Sequence, residues 1–142
     1  MYYYSKINDK KIIFSLFKFN DFKKNRIDFT PDTEYLQASC SLLNKNKTIQ
    51  AHKHKSNKRT INITQEAWLI FRGSVKAKFF DIDDSYFEEI VLTSGDCVVL
   101  FNGGHSFNTL DEDTILYEFK NGPYYGAIKD RIEIVRTPKF IK

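Results

Sequence analysis

The chain is poor in the residues that define several protein classes. Only two cysteines occur among its 142 residues, Cys40 and Cys97, and they have no CxxC or other ligand spacing. A disulfide framework and a cysteine-based zinc site are therefore not expected, and a reduced setting is the default. Cys97 lies in the apolar run Cys97-Val98-Val99-Leu100-Phe101 and reads as a small buried hydrophobe, not a nucleophile. No window approaches the ~20 apolar residues of a membrane-spanning helix. The N-terminal stretch Met1-Tyr2-Tyr3-Tyr4-Ser5-Lys6 lacks the apolar core of a signal peptide. These absences predict a soluble, cytoplasmic protein with no membrane partner. Alanine, the best helix former, is scarce, which argues against a helical protein.

What is abundant is aromatic. Phe occurs 13 times and Tyr 8 times, and aromatic side chains suit pleated, half-buried strands. The length corresponds to one domain of ordinary size, spanning 1–142, and no repeat, low-complexity tract or linker divides it. The formal net charge of +4 comes from lysines spread along the chain, densest between Lys53 and Arg59. That distribution predicts a mildly basic solvated surface and no nucleic-acid partner.

Strand-like runs recur between polar turns. Lys11 to Leu16 and Tyr35 to Leu43 are the first two, separated by a charged stretch that ends at Pro31 and has room for a short helix over Asp21 to Asn25. Thr48 to His54, Glu66 to Arg72, Val75 to Asp81, Tyr86 to Leu92, Cys97 to Phe101, Thr114 to Lys120 and Arg131 to Val135 follow. Gly73-Ser74 between two of these runs predicts a tight β-hairpin. Many short strands with turns between them predict an all-β barrel or sandwich.

Histidine is rare as well, with only His52, His54 and His105 present. In a strand, His52 and His54 point to one face and can converge on one ion. His105 follows the turn Asn102-Gly103-Gly104, and Glu66 begins the next strand after the His-x-His pair. Three imidazoles and a carboxylate would hold a divalent metal ion (Zn, Fe, Mn or Ni) and leave positions open for substrate or water. Because Gln65 and Glu66 point to opposite faces of a strand, only one of them can face inward.

These residues resemble the two motifs of the cupin superfamily. Asn46, five residues, His52-Lys53-His54, then Glu66, six residues and Gly73 are similar to its first motif. Gly95, five residues, Phe101-Asn102-Gly103, then His105 and Asn108 are similar to its second. The sequence departs from the pattern: Asn46 stands for a Gly, Phe101 stands for a Pro, eleven residues separate His54 from Glu66, and the second motif is shortened at two places. The resemblance covers about 45–120. It implies a single-domain jelly-roll barrel with a metal on His52, His54, Glu66 and His105. It also implies a homodimer, with the strands of 1–44 added to the sheet or to the dimer interface.

Downstream, Glu118-Phe119-Lys120-Asn121-Gly122-Pro123-Tyr124 resembles a segment of small bacterial cupins associated with surface-polysaccharide and nucleotide-sugar pathways. Glu118 and Lys120 share one strand face, either inward beside the metal as an acid/base couple or outward in solvent. Tyr124 is a candidate phenolic proton donor, and Arg59 and Arg72 are candidates for binding a carboxylate or phosphate. The resemblance implies metal-assisted isomerisation or epimerisation of a sugar-like molecule. An Fe(II)-dependent dioxygenase and a non-catalytic ligand-binding cupin are the alternatives.

Overall fold

The computed structural model describes residues 1–23 and 25–135. Its strands are β1 (Tyr2–Tyr4), β2 (Ile12–Phe17), β3 (Arg26–Asp28), β4 (Ser39–Ser41), β5 (Glu66–Arg72), β6 (Ser74–Phe80), β7 (Tyr86–Thr93), β8 (Cys97–Leu100), β9 (Gly104–Thr109) and β10 (Ile115–Lys120). A 3-10 turn at Phe19–Asp21 and one helical turn, α1 (Ala127–Asp130), are the helical elements among the described residues.

The strands form three antiparallel sheets. A five-stranded sheet runs β1-β2-β8-β5-β10, a three-stranded sheet runs β7-β6-β9, and β3 pairs with β4. The fold class is thus all-β, as the composition predicts. The sheets do not close into a barrel: β9 and β10 are both edge strands and belong to different sheets.

Alternation along the strands builds the space between the two larger sheets. Phe14, Leu16, Trp68, Ile70, Val98 and Leu100 from one sheet meet Val75, Ala77, Phe79, Phe87 and Leu92 from the other, all buried. The Phe14 and Phe79 rings stack with centroids 3.9 Å apart at the centre of this layer. Burying one such side chain is worth ~1.5–3 kcal/mol relative to leaving it in water. A second layer, with Phe17, Phe29, Ala67, Cys97, Val99 and Phe101, fills the opposite face of the five-stranded sheet, beneath the β3–β4 hairpin. Covered on both faces, β8 is buried at every residue. Burial pushes the Cys97 thiol up to about 12, which agrees with its reading as a packed hydrophobe.

Several sequence expectations need correction. Gly73-Ser74 does not make a hairpin, because β5 pairs with β8 and β10 whereas β6 pairs with β7 and β9. The chain instead steps from one sheet to the other at Gly73, whose φ of +76° suits glycine; a Cβ there would lie 2.6 Å from Thr114 Oγ1. Thr48 to His54 is not a strand but part of an irregular segment, and every residue of 41–64 is exposed. Tyr35 to Leu43 is extended in a sheet only over Ser39–Ser41. Of the helix proposed over Asp21 to Asn25, Asp21 belongs to the earlier 3-10 turn, Phe22, Lys23 and Asn25 are not helical and Lys24 lies outside the described residues. Arg131 to Val135 has no regular structure. Finally, 104–109, which shows no clean alternation, is strand β9 through its pairing with β6.

Candidate functional site

The inward side chains of β5 and β10 meet those of β9 at the gap between the two sheets. Register puts Lys120 opposite Glu66 and Glu118 opposite Trp68. Directly opposite residues share a face, so Glu66, Trp68, Glu118 and Lys120 form one cross-strand cluster. Lys120 Nζ lies 2.5 Å from Glu118 Oε1 and 3.4 Å from Glu66 Oε2. The charged pair therefore faces inward, while Tyr117 and Phe119 take the opposite, exposed face.

Glu66 is held from two directions. The Trp68 indole N–H donates to its Oε1 at 2.5 Å. His105 Nε2, from β9 on the other sheet, stands 3.7 Å from the same oxygen. The His105 ring meets Trp68 edge to face at 5.0 Å, and Phe107, two residues on, meets Trp68 at the same distance. These aromatic contacts fix the imidazole plane against the carboxyl group. Gln65, by contrast, points to the opposite side of the strand, where its Oε1 accepts the Leu36 N–H and its amide group donates to Glu34.

The titration behaviour follows from this packing. Desolvation lowers the His105 pKa from its ordinary value against the opposing pull of Glu66 and Glu118, although 33 % of the side chain stays open to solvent. The hydrogen bond from Lys120 holds the Glu118 pKa below its ordinary value, and the bond to Glu118 in turn raises that of Lys120. The site thus combines an imidazole of lowered basicity, an ionised carboxylate and an ammonium group within reach of a second carboxyl.

Tyr124 lies at the rim, its ring centroid 5.2 Å from Lys120 Nζ. Arg72 donates to the Asp113 carbonyl at 2.9 Å, outside the cluster. Arg59 sits in the exposed segment 41–64.

His52 and His54 belong to that same exposed segment, and no strand directs them toward His105. His52 Nδ1 is 2.9 Å from the Gln50 carbonyl oxygen, and the two rings lie 5.6 Å apart. Among the described residues no group of three or more His, Cys, Asp or Glu is placed to hold a metal ion. The donors as arranged do not form the His52, His54, Glu66 and His105 set that the motifs imply.

No family model, curated protein or solved structure matches the chain. The functional reading therefore stands on the residues themselves.

Two residues of the cluster escaped the sequence reading. Trp68 had a signal, since the single Trp lies two residues from Glu66 on a strand and so shares its face. Arg131, whose charge acts on His105 and Glu118, had none. It arrives through the irregular chain after α1.

Proposed function

We propose that the chain binds a small, polar, sugar-like molecule at the gap between β9 and β10 and moves a proton on it, as an isomerase or epimerase does. One observation carries this reading: the His105 imidazole stands 3.7 Å from Glu66, within the cluster that Glu118 and Lys120 complete. His105 is suited to take a proton from carbon next to a carbonyl. As that C–H bond breaks, its electron pair passes to the carbonyl oxygen, where the Lys120 ammonium stabilises the charge. Lys120 gives its proton to that oxygen and takes one from the adjacent hydroxyl. That hydroxyl's oxygen becomes the new carbonyl as the imidazolium returns its proton to the former carbonyl carbon. Positioned acid–base groups of this kind contribute ~10²–10⁴-fold in rate. Trp68 fixes Glu66, and Glu66 orients His105.

The cupin resemblance supports the same reading, because it places His105 and the Glu118–Lys120 segment at one mouth. Under it the two larger sheets are the halves of a jelly roll. The free edges β1 and β10 offer surfaces on which two copies could pair as a homodimer.

A second reading rests on the cupin resemblance alone: a divalent ion held by His52 and His54, whose rings lie 5.6 Å apart, would supply Lewis-acid or Fe(II) oxygen chemistry.

Deuterium exchange from D2O into ketoses and nucleotide-linked keto sugars tests both readings, with His105→Gln, Glu66→Gln and His52→Ala variants and elemental analysis alongside. The expected result is chelator-resistant exchange that falls at least 100-fold in His105→Gln. Chelator-sensitive exchange lost in His52→Ala would support the metal reading. Ligand binding without exchange would leave a non-catalytic binding domain.

A further inference from the structure

A second recess lies at the same end of the fold, on the far side of β5 from the acid–base cluster. It is a recess of about 530 Å³, open to solvent and lined largely by polar groups, Lys10, Lys11, Thr33, Tyr35, Asn62 and Asn102 among them. Its volume is within the usual range for small-ligand pockets, but its polarity is not, since such pockets are mostly apolar.

Its two ammonium groups have no carboxylate partner among the described residues. Lys10 and Lys11 close the turn in which the Lys11 N–H donates to the Asn8 carbonyl at 2.9 Å. Asp9, in the same turn, forms no ion pair among the described residues either. Glu34, the one carboxylate of the wall, accepts from the buried Gln65 amide. Asn102 uses its Nδ2 on the Ile12 carbonyl.

The surrounding charge points the same way. Residues 35–65 hold six Lys and Arg and no Asp or Glu, so the rest of the chain is slightly acidic although the whole carries +4. The C-terminal end of this basic stretch, at Asn62 and Ile63, forms one wall of the recess. Its positive field raises the local concentration of anions.

We infer that the recess is a binding site for a phosphate-class anion, with the Lys10 and Lys11 ammoniums as its charges and Asn62 and Thr33 as its neutral donors. Lysine binds phosphate as a point charge and needs no fixed fork. The volume exceeds that of one orthophosphate, leaving room for a diphosphate or for the phosphate end of a larger molecule. This inference stands apart from the proton-transfer reading, because none of these residues belongs to the acid–base cluster.

The experiment is amide-resolved NMR titration of the full chain with pyrophosphate, orthophosphate, glucose 1-phosphate and glucose. A Lys10→Gln/Lys11→Gln variant is compared with Lys76→Gln, whose side chain lies outside the recess. Saturable shifts at Lys11, Asn62 and Asn102 with pyrophosphate are expected, weakened at least 10-fold in the double variant and unchanged in Lys76→Gln. Tighter binding of glucose 1-phosphate than of orthophosphate would identify a phosphate ester as the source, and equal binding free phosphate. Two results would overturn the inference. One is the absence of saturable shifts at these residues. The other is tight binding of a single-stranded oligonucleotide that depends on Lys53, Lys55, Lys58 and Arg59 and is indifferent to Lys10 and Lys11.

Discussion

His105 and Glu66 sit on different sheets, and the 3.7 Å between His105 Nε2 and Glu66 Oε1 is a polar link across the gap between β9 and β5. The geometry of the cluster and the sheet spacing are therefore coupled at this pair, and both can be tested by pH.

Burial depresses the His105 pKa, so protonating it in the folded state costs more than in the unfolded chain. As pH falls below about 6.5, the unfolded chain takes up this proton first, and stability declines until pH passes the lowered folded value. Urea unfolding at pH 7 and pH 5 is expected to show a larger loss for the parent protein than for His105→Asn. If the proton-transfer reading holds, the parent's rate is also flat near pH 7 and falls on the acid side.

Lys120 separates two carboxyl groups. Lys120→Met is expected to destabilise the fold by roughly 1–2 kcal/mol at pH 7, a value discounted because 38 % of the Glu118 side chain is exposed. The signs fix a pH window. The lowered Glu118 pKa contributes stability above the ordinary Glu range and loses it as pH falls through the folded value. The raised Lys120 pKa contributes below about 10.5 and loses it as pH rises through its folded value. The variant's deficit is thus greatest between about pH 5 and 10 and shrinks at pH 3, readable from thermal melts.

Ser15 is fully buried on β2, and its hydroxyl has no hydrogen-bond partner among the described residues. An unsatisfied buried hydroxyl is a net cost, so Ser15→Ala is expected to stabilise by up to about 1 kcal/mol. Denaturant midpoints at constant m-value check this. A loss of stability would show that the hydroxyl has a partner.

Gly73→Ala is expected to cost about 1–3 kcal/mol, from its positive φ and the collision with Thr114. Gly126→Ala provides the comparison, because its φ of +98° is also unfavourable but nothing lies within 4 Å. The difference between the two melting shifts isolates the steric part.

Much of the sheet layer was legible because alternation and turn residues are local signals. Glu66 to Arg72 was located residue for residue, and Cys97 was rightly read as buried. The inward placement of Glu118 and Lys120 was open in the sequence, since period-2 alternation identifies a face but not which side that face takes. The partner of β5 was misread for a related reason. A Gly-Ser step between two strand patterns looks the same whether the chain reverses within a sheet or crosses to another, and only long-range pairing decides. His52-Lys53-His54 shows the limit of pattern most clearly. Its spacing fits a strand, yet the surrounding residues bury nothing that would hold one in place.

The pairing of Phe14 with Leu100 bears on how the protein is made. During synthesis β2 leaves the ribosome well before β8, its inner neighbour in the sheet. A run that ends up buried at nearly every residue must wait, without that neighbour, while most of the chain is produced. Closing so distant a contact is slow, and an unpaired apolar strand is prone to association in the meantime. Newly made chains are therefore expected to lean on chaperones that hold N-terminal segments, and truncations ending before Cys97 to accumulate as aggregates.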